Sequence, residues 1–170
     1  ATGLPADVEE KILRFARCAI AVGLMRNKAY VNVGGVAMGI AGSYCDANTF
    51  QKYFGLRPEW VDMTEILRRI TLEIYDHEEY EKAYAWVRAN CKEGVDLNAG
   101  KVLPEIITKS KVVPADKDWE FVVKATLIVR DIMLGNPKLD EMGWHEEALG
   151  RNAIVGGFQG QRMWTDWLPN

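Results

Sequence analysis

A stretch near the carboxyl terminus carries the side chains best suited to binding a polar small molecule. Gln159 and Gln161 stand between glycines directly after an apolar run, and Arg162, Trp164 and Trp167 follow. Amides on a loop at the end of a strand can hydrogen-bond to hydroxyl groups, and a tryptophan ring can stack on the apolar face of a sugar. A turn followed by two tryptophans that pack in the core would have the same composition.

The glycine-rich segment 34–43 is a second candidate ligand loop, because it too follows an apolar run. Its motif from Ala37 to Gly42 has two of the three glycines of the dinucleotide fingerprint, and Asp62 stands where a ribose-binding acid is expected. The glycine that makes the tight turn of the fingerprint is missing. The segment therefore predicts either a nucleotide- or small-ligand-binding loop over residues 35–42, or a turn whose glycines serve backbone shape.

The two histidines do not have the spacing of a metal site. His77 and His145 each stand beside acidic residues, but neither forms the H-E-x-x-H pattern that places two histidines on one helix face. Consecutive residues on a helix point about 100° apart and cannot converge on one ion. We interpret both clusters as solvated helix faces. No pair of carboxylates on neighbouring strand ends, as proton abstraction beside a carbonyl requires, is evident either.

The three cysteines, Cys18, Cys45 and Cys91, are odd in number and widely spaced. They predict buried small hydrophobes in a reducing compartment. The amino terminus is acidic where a signal peptide is basic, and the longest uncharged run, 29–45, is too short to span a bilayer. These features together predict a soluble, cytoplasmic protein.

Composition excludes several classes of protein. The chain has 170 residues, of which 48% are hydrophobic and 26% charged, and its net charge is -3. These values exclude wholesale disorder, collagen-like repeats and coiled-coil composition. A weakly acidic surface gives no reason to expect nucleic acid or an anionic membrane as a partner. The length predicts one domain, residues 1–170, which would bury about 70% of its unfolded surface.

Alternating elements must position these loops. Helical periodicity and caps predict helices over residues 5–26, 48–54, 62–74, 76–91 and 116–134, with another after Pro137. Apolar runs that end in glycine or a turn predict strands over residues 30–33, 60–63 and 153–158. This alternation predicts an α/β fold with a short, mostly parallel sheet. Three strands make a thin sheet, so either the irregular segment 96–114 hides another strand or residues not present here complete it.

The motifs together resemble the middle domain of the L-fucose isomerases. The resemblance covers nearly the whole chain in order, and it rests on residues 4–17, 34–43, 61–65, 152–162 and 164–166. It implies a three-layer α/β/α domain of an aldose–ketose isomerase that interconverts L-fucose and L-fuculose, and often D-arabinose and D-ribulose. It also implies a divalent metal, usually manganese, an ene-diol mechanism, and a cytoplasmic hexamer with its active sites between subunits.

The resemblance places only part of the family's site in this chain. The substrate-contacting glutamine of the family corresponds to Gln159, with Gln161 and Arg162 as near neighbours. The family's metal-binding glutamate, aspartate and histidine belong to segments beyond Asn170, so no catalytic or metal residue is carried over. A chain that begins at Ala1 and ends before those ligands is expected to be one third of an enzyme and inactive alone. The resemblance also disfavours the nucleotide hypothesis, because the family has the same glycine stretch and uses no dinucleotide.

Overall fold

The computed structural model describes residues 3–35, 40–41, 44, 46–92 and 115–158. Within these ranges, helices and strands alternate along the chain. In order, the elements are α1 (Ala6–Met25), β1 (Ala29–Val33), α2 (Ala47–Phe54), β2 (Arg57–Val61), α3 (Met63–Thr71), α4 (His77–Asn90), α5 (Ala115–Leu134), α6 (Pro137–Glu141) and β3 (Ala153–Phe158). The irregular segment 96–114 lies outside the described residues, so the prediction of a hidden strand there stays a prediction.

The three strands form one parallel sheet in the order β2-β1-β3. Val33, at the end of the central strand β1, lies opposite Val61 of β2 and Phe158 of β3, so all three strands end at the same edge. The predicted α/β fold with a short parallel sheet is therefore confirmed. Parallel strands need crossover connections, which the intervening helices supply.

Helices cover both faces of the sheet. On one face, the ring of Tyr30 stacks on Phe50 of α2 with ring centroids 5.4 Å apart. On the other face, a β-carbon built on Gly156 would stand 3.3 Å from the Met133 sulfur of α5. The described layers are thus helix, sheet and helix, as the resemblance implies.

The core lies between β1 and the α3–α5 side of the molecule. Val31 and Val33 of β1 both point to this face, because strand side chains have a period of two. Its buried members come from the sheet, from α3 and from α5, and they include Val31, Val33, Val61, Met63, Ile66, Ala125, Ile128 and Ile132. Packing against this sheet face and against α3 and α4 explains why apolar residues occupy more than one side of α5.

Two element boundaries differ from those expected. The second strand begins at Arg57 and ends at Val61, and Met63, predicted to extend it, is the first residue of α3. The cause is Asp62, whose carboxylate caps α3 and so ends the strand. At the other end, α3 stops at Thr71, and Ile74, predicted on the helix, is buried in the turn beyond it. Strand β3, by contrast, has the predicted bounds.

The cysteine prediction is wrong for Cys18 and Cys91, which are both exposed. Cys18 lies on α1, a helix without a single buried residue, and Cys91 caps the carboxyl end of α4. A helical pattern of apolar residues predicted burial, but no described element packs closely enough on α1 to cover it. Cys45 lies outside the described residues. Across the described residues, no helix is both long and apolar enough to cross a lipid bilayer.

Candidate functional site

The carboxyl edge of the sheet brings together the starts of both candidate ligand loops. The glycine segment begins with Gly34 directly after β1, and the glutamine motif begins directly after Phe158 of β3. Because Val33 and Phe158 are partners in the parallel register, the chain leaves the two strands side by side. Two loops whose first residues, Gly34 and Gln159, are 125 positions apart in the sequence therefore start side by side, which no local sequence pattern shows.

The strand order makes this edge a topological switch point. From β1 the chain crosses through α2 to β2 on one side, and it later returns through α3, α4 and α5 to β3 on the other side of β1. The helix that follows β1 (α2) and the helices that follow β2 (α3 and α5) consequently pack on opposite faces of the sheet. Open α/β sheets bind ligands in the crevice that such divergence leaves outside the carboxyl ends of the strands.

The glycine segment begins with a turn that glycine favours. Gly34 and Gly35 have φ angles of 105° and 80°, in the region that side chains with a β-carbon rarely adopt. The Gly34 amide donates a 2.9 Å hydrogen bond to the Val61 carbonyl, which ties the turn to the end of β2. Backbone shape therefore accounts for these two glycines. The fingerprint positions Ala37, Gly39 and Gly42 lie outside the described residues.

Asp62, the candidate ribose-binding acid, is occupied by helix capping. Its Oδ1 accepts hydrogen bonds of 2.8 Å from the Thr64 amide and 2.7 Å from the Thr64 hydroxyl. These bonds lower the pKa of the Asp62 carboxyl below its ordinary value, the hydroxyl contributing most. The carboxylate is thus held at the start of α3, so helix capping accounts for this acid without a nucleotide.

Gln159, Gln161 and Arg162, the three predicted substrate-binding residues, lie outside the described residues. Their assignment stays a prediction. What the structure adds is the place where the chain enters that motif: Phe158 is half-buried at the end of β3 and lies opposite Val33.

The described residues do not form a metal centre. Among them, no three histidine, cysteine, aspartate or glutamate side chains cluster as an ion would require. Both histidines are exposed, as expected: the His77 ring packs on Tyr75, and His145 Nδ1 lies 2.5 Å from Asp140 Oδ1. His77 is on α4, whereas His145 lies in a turn after α6 rather than on a helix.

One polar residue of this region was not singled out from the sequence. Asn32 lies in β1 between Val31 and Val33, and its side chain is 1% exposed. Neither its Oδ1 nor its Nδ2 has a hydrogen-bond partner in the structure. The signal was available in the sequence: a single amide in a β-branched strand, two residues before the glycine turn.

The fold and the edge define an α/β domain whose candidate ligand loops start side by side at the carboxyl edge of the sheet. Comparison with known families gives a match to the model of the L-fucose isomerase, second N-terminal domain, over residues 28–170. Three curated relatives are named L-fucose isomerase. The one from Clostridium perfringens is 64% identical over 98% of this chain, the one from Phocaeicola vulgatus 59% over 98%, and the one from Vibrio vulnificus 54% over 99%. The chain belongs to the L-fucose isomerase family, and the resemblance seen in its motifs is confirmed.

The match covers the chain but only part of each relative. The chain spans 28% of the length of the three relatives. The comparisons therefore show family membership for these 170 residues and do not extend to the rest of the relatives' length.

Proposed function

We propose that this chain forms one wall of the sugar site in an aldose–ketose isomerase that converts L-fucose to L-fuculose, and D-arabinose to D-ribulose. The observation that supports the proposal is that the two family motifs start side by side at the carboxyl edge. The family match includes both β1 and β3, and these strands end side by side at the switch point. The relatives' name supplies the reaction.

The chain's own part in the reaction is to bind and orient the sugar. Gln159 hydrogen-bonds to a substrate hydroxyl, and Gln161 and Arg162 contribute further polar contacts. An amide can both donate and accept, so it suits a hydroxyl, which does the same. The glycine turn at Gly34 and Gly35 leaves the neighbouring backbone without side chains and so leaves room for the ligand.

The proposed manganese ion does not fit the described residues, since no three ligating side chains among them cluster. Its ligands, and the groups that move protons between C1 and C2, belong in this proposal to other parts of a longer polypeptide. We further propose that this polypeptide is a cytoplasmic homohexamer in which this domain contributes to the subunit contacts. The 170 residues alone are then inactive.

The test uses the longer protein that contains this sequence, with L-fucose and manganese as the probes. We expect it to isomerise L-fucose, and we expect the purified 170-residue chain not to. The variant Gln159→Ala should lower kcat/KM about 5- to 150-fold, since the loss of an amide–hydroxyl bond costs about 1–3 kcal/mol. Gln51→Ala, on the exposed side of α2, is the matched control and should leave turnover unchanged.

Three results would count against this function. Isomerisation by the isolated chain would show that the chemistry resides here, and unchanged kinetics of Gln159→Ala would remove the glutamine from the site. Stabilisation of the chain by NAD, with none of the longer protein by L-fucose and manganese, would favour a nucleotide-binding module at residues 35–42. Thermal shift measures both effects, because a ligand that binds only the native state raises the midpoint.

A further inference from the structure

The glycine-rich segment 34–43 is tied to the end of β2 at both of its ends. At its start, the Gly34 amide donates a 2.9 Å hydrogen bond to the Val61 carbonyl. At the residue that follows it, the ring of Tyr44 stacks on the Trp60 ring, with centroids 6.3 Å apart and planes 15° from parallel. Two consecutive residues of β2 therefore hold the two ends of a segment that leaves from the neighbouring strand β1.

The Trp60 ring lies on the face of the sheet that α2 covers. Trp60 is opposite Asn32 in the register of β1 and β2, two residues beyond Tyr30, and side chains two residues apart on a strand share a face. On that face the Tyr30 ring stacks on Phe50 of α2. The stack of Tyr44 on Trp60 therefore stands where the chain passes from the glycine segment into α2.

This aromatic stack is exposed, so it is not part of the buried core. Trp60 is 42% exposed and Tyr44 is 56% exposed. The neighbouring stack of Tyr30 on Phe50, by contrast, is half-buried and attaches α2 to the sheet. What the exposed stack attaches to the sheet is the far end of the glycine segment.

A glycine-rich segment gains from such anchors if it is to bind a ligand. Four of the ten residues 34–43 are glycine, and glycine loses more conformational freedom on ordering than any other residue. A loop that becomes ordered only when its ligand binds weakens the affinity by the cost of that ordering, whereas a loop ordered beforehand does not. Anchors at both ends reduce the freedom that remains to be lost.

We propose that Trp60 and Tyr44 are positioning residues of the sugar site, because their stack holds the glycine segment in the arrangement that receives the substrate. The segment starts beside the end of β3, at the carboxyl edge where the sugar site is proposed. Neither ring has to touch the sugar. This inference rests on the proposed isomerase function and adds two residues to it.

The variant Tyr44→Ala removes the stack without changing the sheet, because Tyr44 lies outside the helices and strands. A segment that binds the sugar without moving protons contributes equally to the ground state and the transition state, so its loosening raises KM and spares kcat. In the longer protein that contains this sequence, we expect Tyr44→Ala to raise KM for L-fucose about 3- to 10-fold, with kcat within about twofold. The melting temperature should stay close to that of the parent.

Two further tyrosine variants serve as controls. Tyr44→Phe keeps the ring and should keep the KM of the parent. Tyr53→Ala removes a tyrosine of similar exposure, 68%, from α2, and it too should leave KM as it is in the parent. A rise in KM with either control would show that the stacked ring is not the cause.

Trp60 supplies the other half of the test. Trp60→Ala should raise KM as Tyr44→Ala does, and Trp60→Phe, which restores an aromatic ring, should bring KM back towards the parent value. Because Tyr44→Ala and Trp60→Ala break the same contact, the double variant should raise KM no further than either single variant. Hydrogen exchange gives a readout besides activity: the amides of a peptide spanning residues 34–44 should exchange faster in both alanine variants and as in the parent in both phenylalanine variants.

The outcomes are distinct. If the parent isomerises L-fucose and both alanine variants keep its KM, or if their exchange over residues 34–44 is that of the parent, the inference is overturned while the isomerase function stands. If the effects of Tyr44→Ala and Trp60→Ala on KM add up in the double variant, the two rings act separately and the inference is again overturned. If the parent neither isomerises L-fucose nor is stabilised by it, the proposed function fails and this inference fails with it.

Discussion

Asp131 shows how a single buried charge is held in this molecule. Its side chain is 1% exposed, yet its Oδ1 lies 2.6 Å from Arg130 Nη2 and its Oδ2 accepts a 3.0 Å bond from Asn136 Nδ2. Arg130 also pairs with Glu79 of α4. The carboxylate therefore links α5 both to α4 and to the turn that begins α6, and a buried charge with this many partners is costly to disturb.

We expect Asp131→Ala to lower the free energy of unfolding by about 2–4 kcal/mol, because it leaves the Asn136 amide buried and unpaired and removes a partner of Arg130. Urea denaturation of the 170-residue chain measures the change. The control is Asp140→Ala, which removes an exposed carboxylate that pairs with the exposed His145 and should cost less than about 0.5 kcal/mol. Equal losses for the two variants would contradict the role given to Asp131.

A cluster of four charged residues makes the stability of the fold depend on pH; it consists of Glu65, Arg68, Arg69 and Glu147. Hydrogen bonds from Arg68 are the main cause that lowers the pKa of both Glu65 and Glu147 below their ordinary value of 4.5. A carboxyl whose pKa is lowered in the folded state stabilises the fold above its unfolded pKa, and this contribution is lost as the pH falls through the folded value.

The melting temperature should therefore drop as the pH is lowered from about 5 to about 3, and Glu147→Gln should make the drop smaller. Calorimetry over that range gives the comparison. Glu10→Gln, on the exposed surface of α1, should leave the slope as it is in the parent. A slope that Glu147→Gln does not change would remove this residue from the acid transition.

At the scale of elements, aspartates begin three of the helices. Asp46, Asp62 and Asp76 each accept hydrogen bonds from the first amides of α2, α3 and α4. Local signals of this kind are readable in sequence, because the cap and the amides it binds are two or three residues apart. The aspartate caps account for the correct prediction of where α3 and α4 begin. The bounds of β3 were predicted from another local signal, an apolar run that includes Gly156 and Gly157.

What could not be predicted depends on contacts between distant segments. Glu65 stands at the capping-box position three residues after Asp62, but its carboxylate binds Arg68 and Arg69. Ile74 has helical spacing, yet it is buried beyond the end of α3. The neighbouring positions of the two loop starts at Val33 and Phe158 follow from strand order, which no local pattern encodes.

Removal of the aspartate that caps α4 should lower the free energy of unfolding by as much as one N-cap usually contributes. Asp76 Oδ1 accepts from the amides of Glu78 and Glu79 at 3.0 and 3.1 Å. We expect Asp76→Ala to lower the free energy of unfolding by about 1 kcal/mol. Asp7→Ala, which removes an exposed carboxylate from the first turn of α1 without removing a cap, should cost less than half of that in the same denaturation experiment.

At the scale of the whole molecule, α1 differs from the other elements. It is a helix of 20 residues with no buried side chain, and the apolar residues on one of its sides include Ile12 at 51% exposed, Phe15 at 77% and Val22 at 50%. A helix of this length gains most of its stability from packing an apolar face. Contiguous apolar surface of this kind is typical of interaction sites and also promotes association.

The isolated chain should therefore self-associate with rising concentration, and Phe15→Glu should weaken that association. Sedimentation velocity over a range of concentrations measures it. The control Ala21→Glu adds the same charge at another exposed position of α1, where the side chain that it replaces is a single methyl group. It should leave the association nearly unchanged. Equal effects of both variants would show that net charge, rather than the apolar face, controls association.

The position of β3 beside β1 also bears on how the molecule assembles. Their first paired residues, Ala29 and Ala153, are separated by 124 positions, whereas β1 and β2 are joined through a single short helix. Closing so long a loop carries a larger entropic barrier and slows folding. In pulse-labelled hydrogen exchange we expect the amides of β2 to gain protection before those of β3. During synthesis the edge that bears both ligand loops is then the last part of the sheet to form, so a nascent chain acquires its core before it acquires its binding surface.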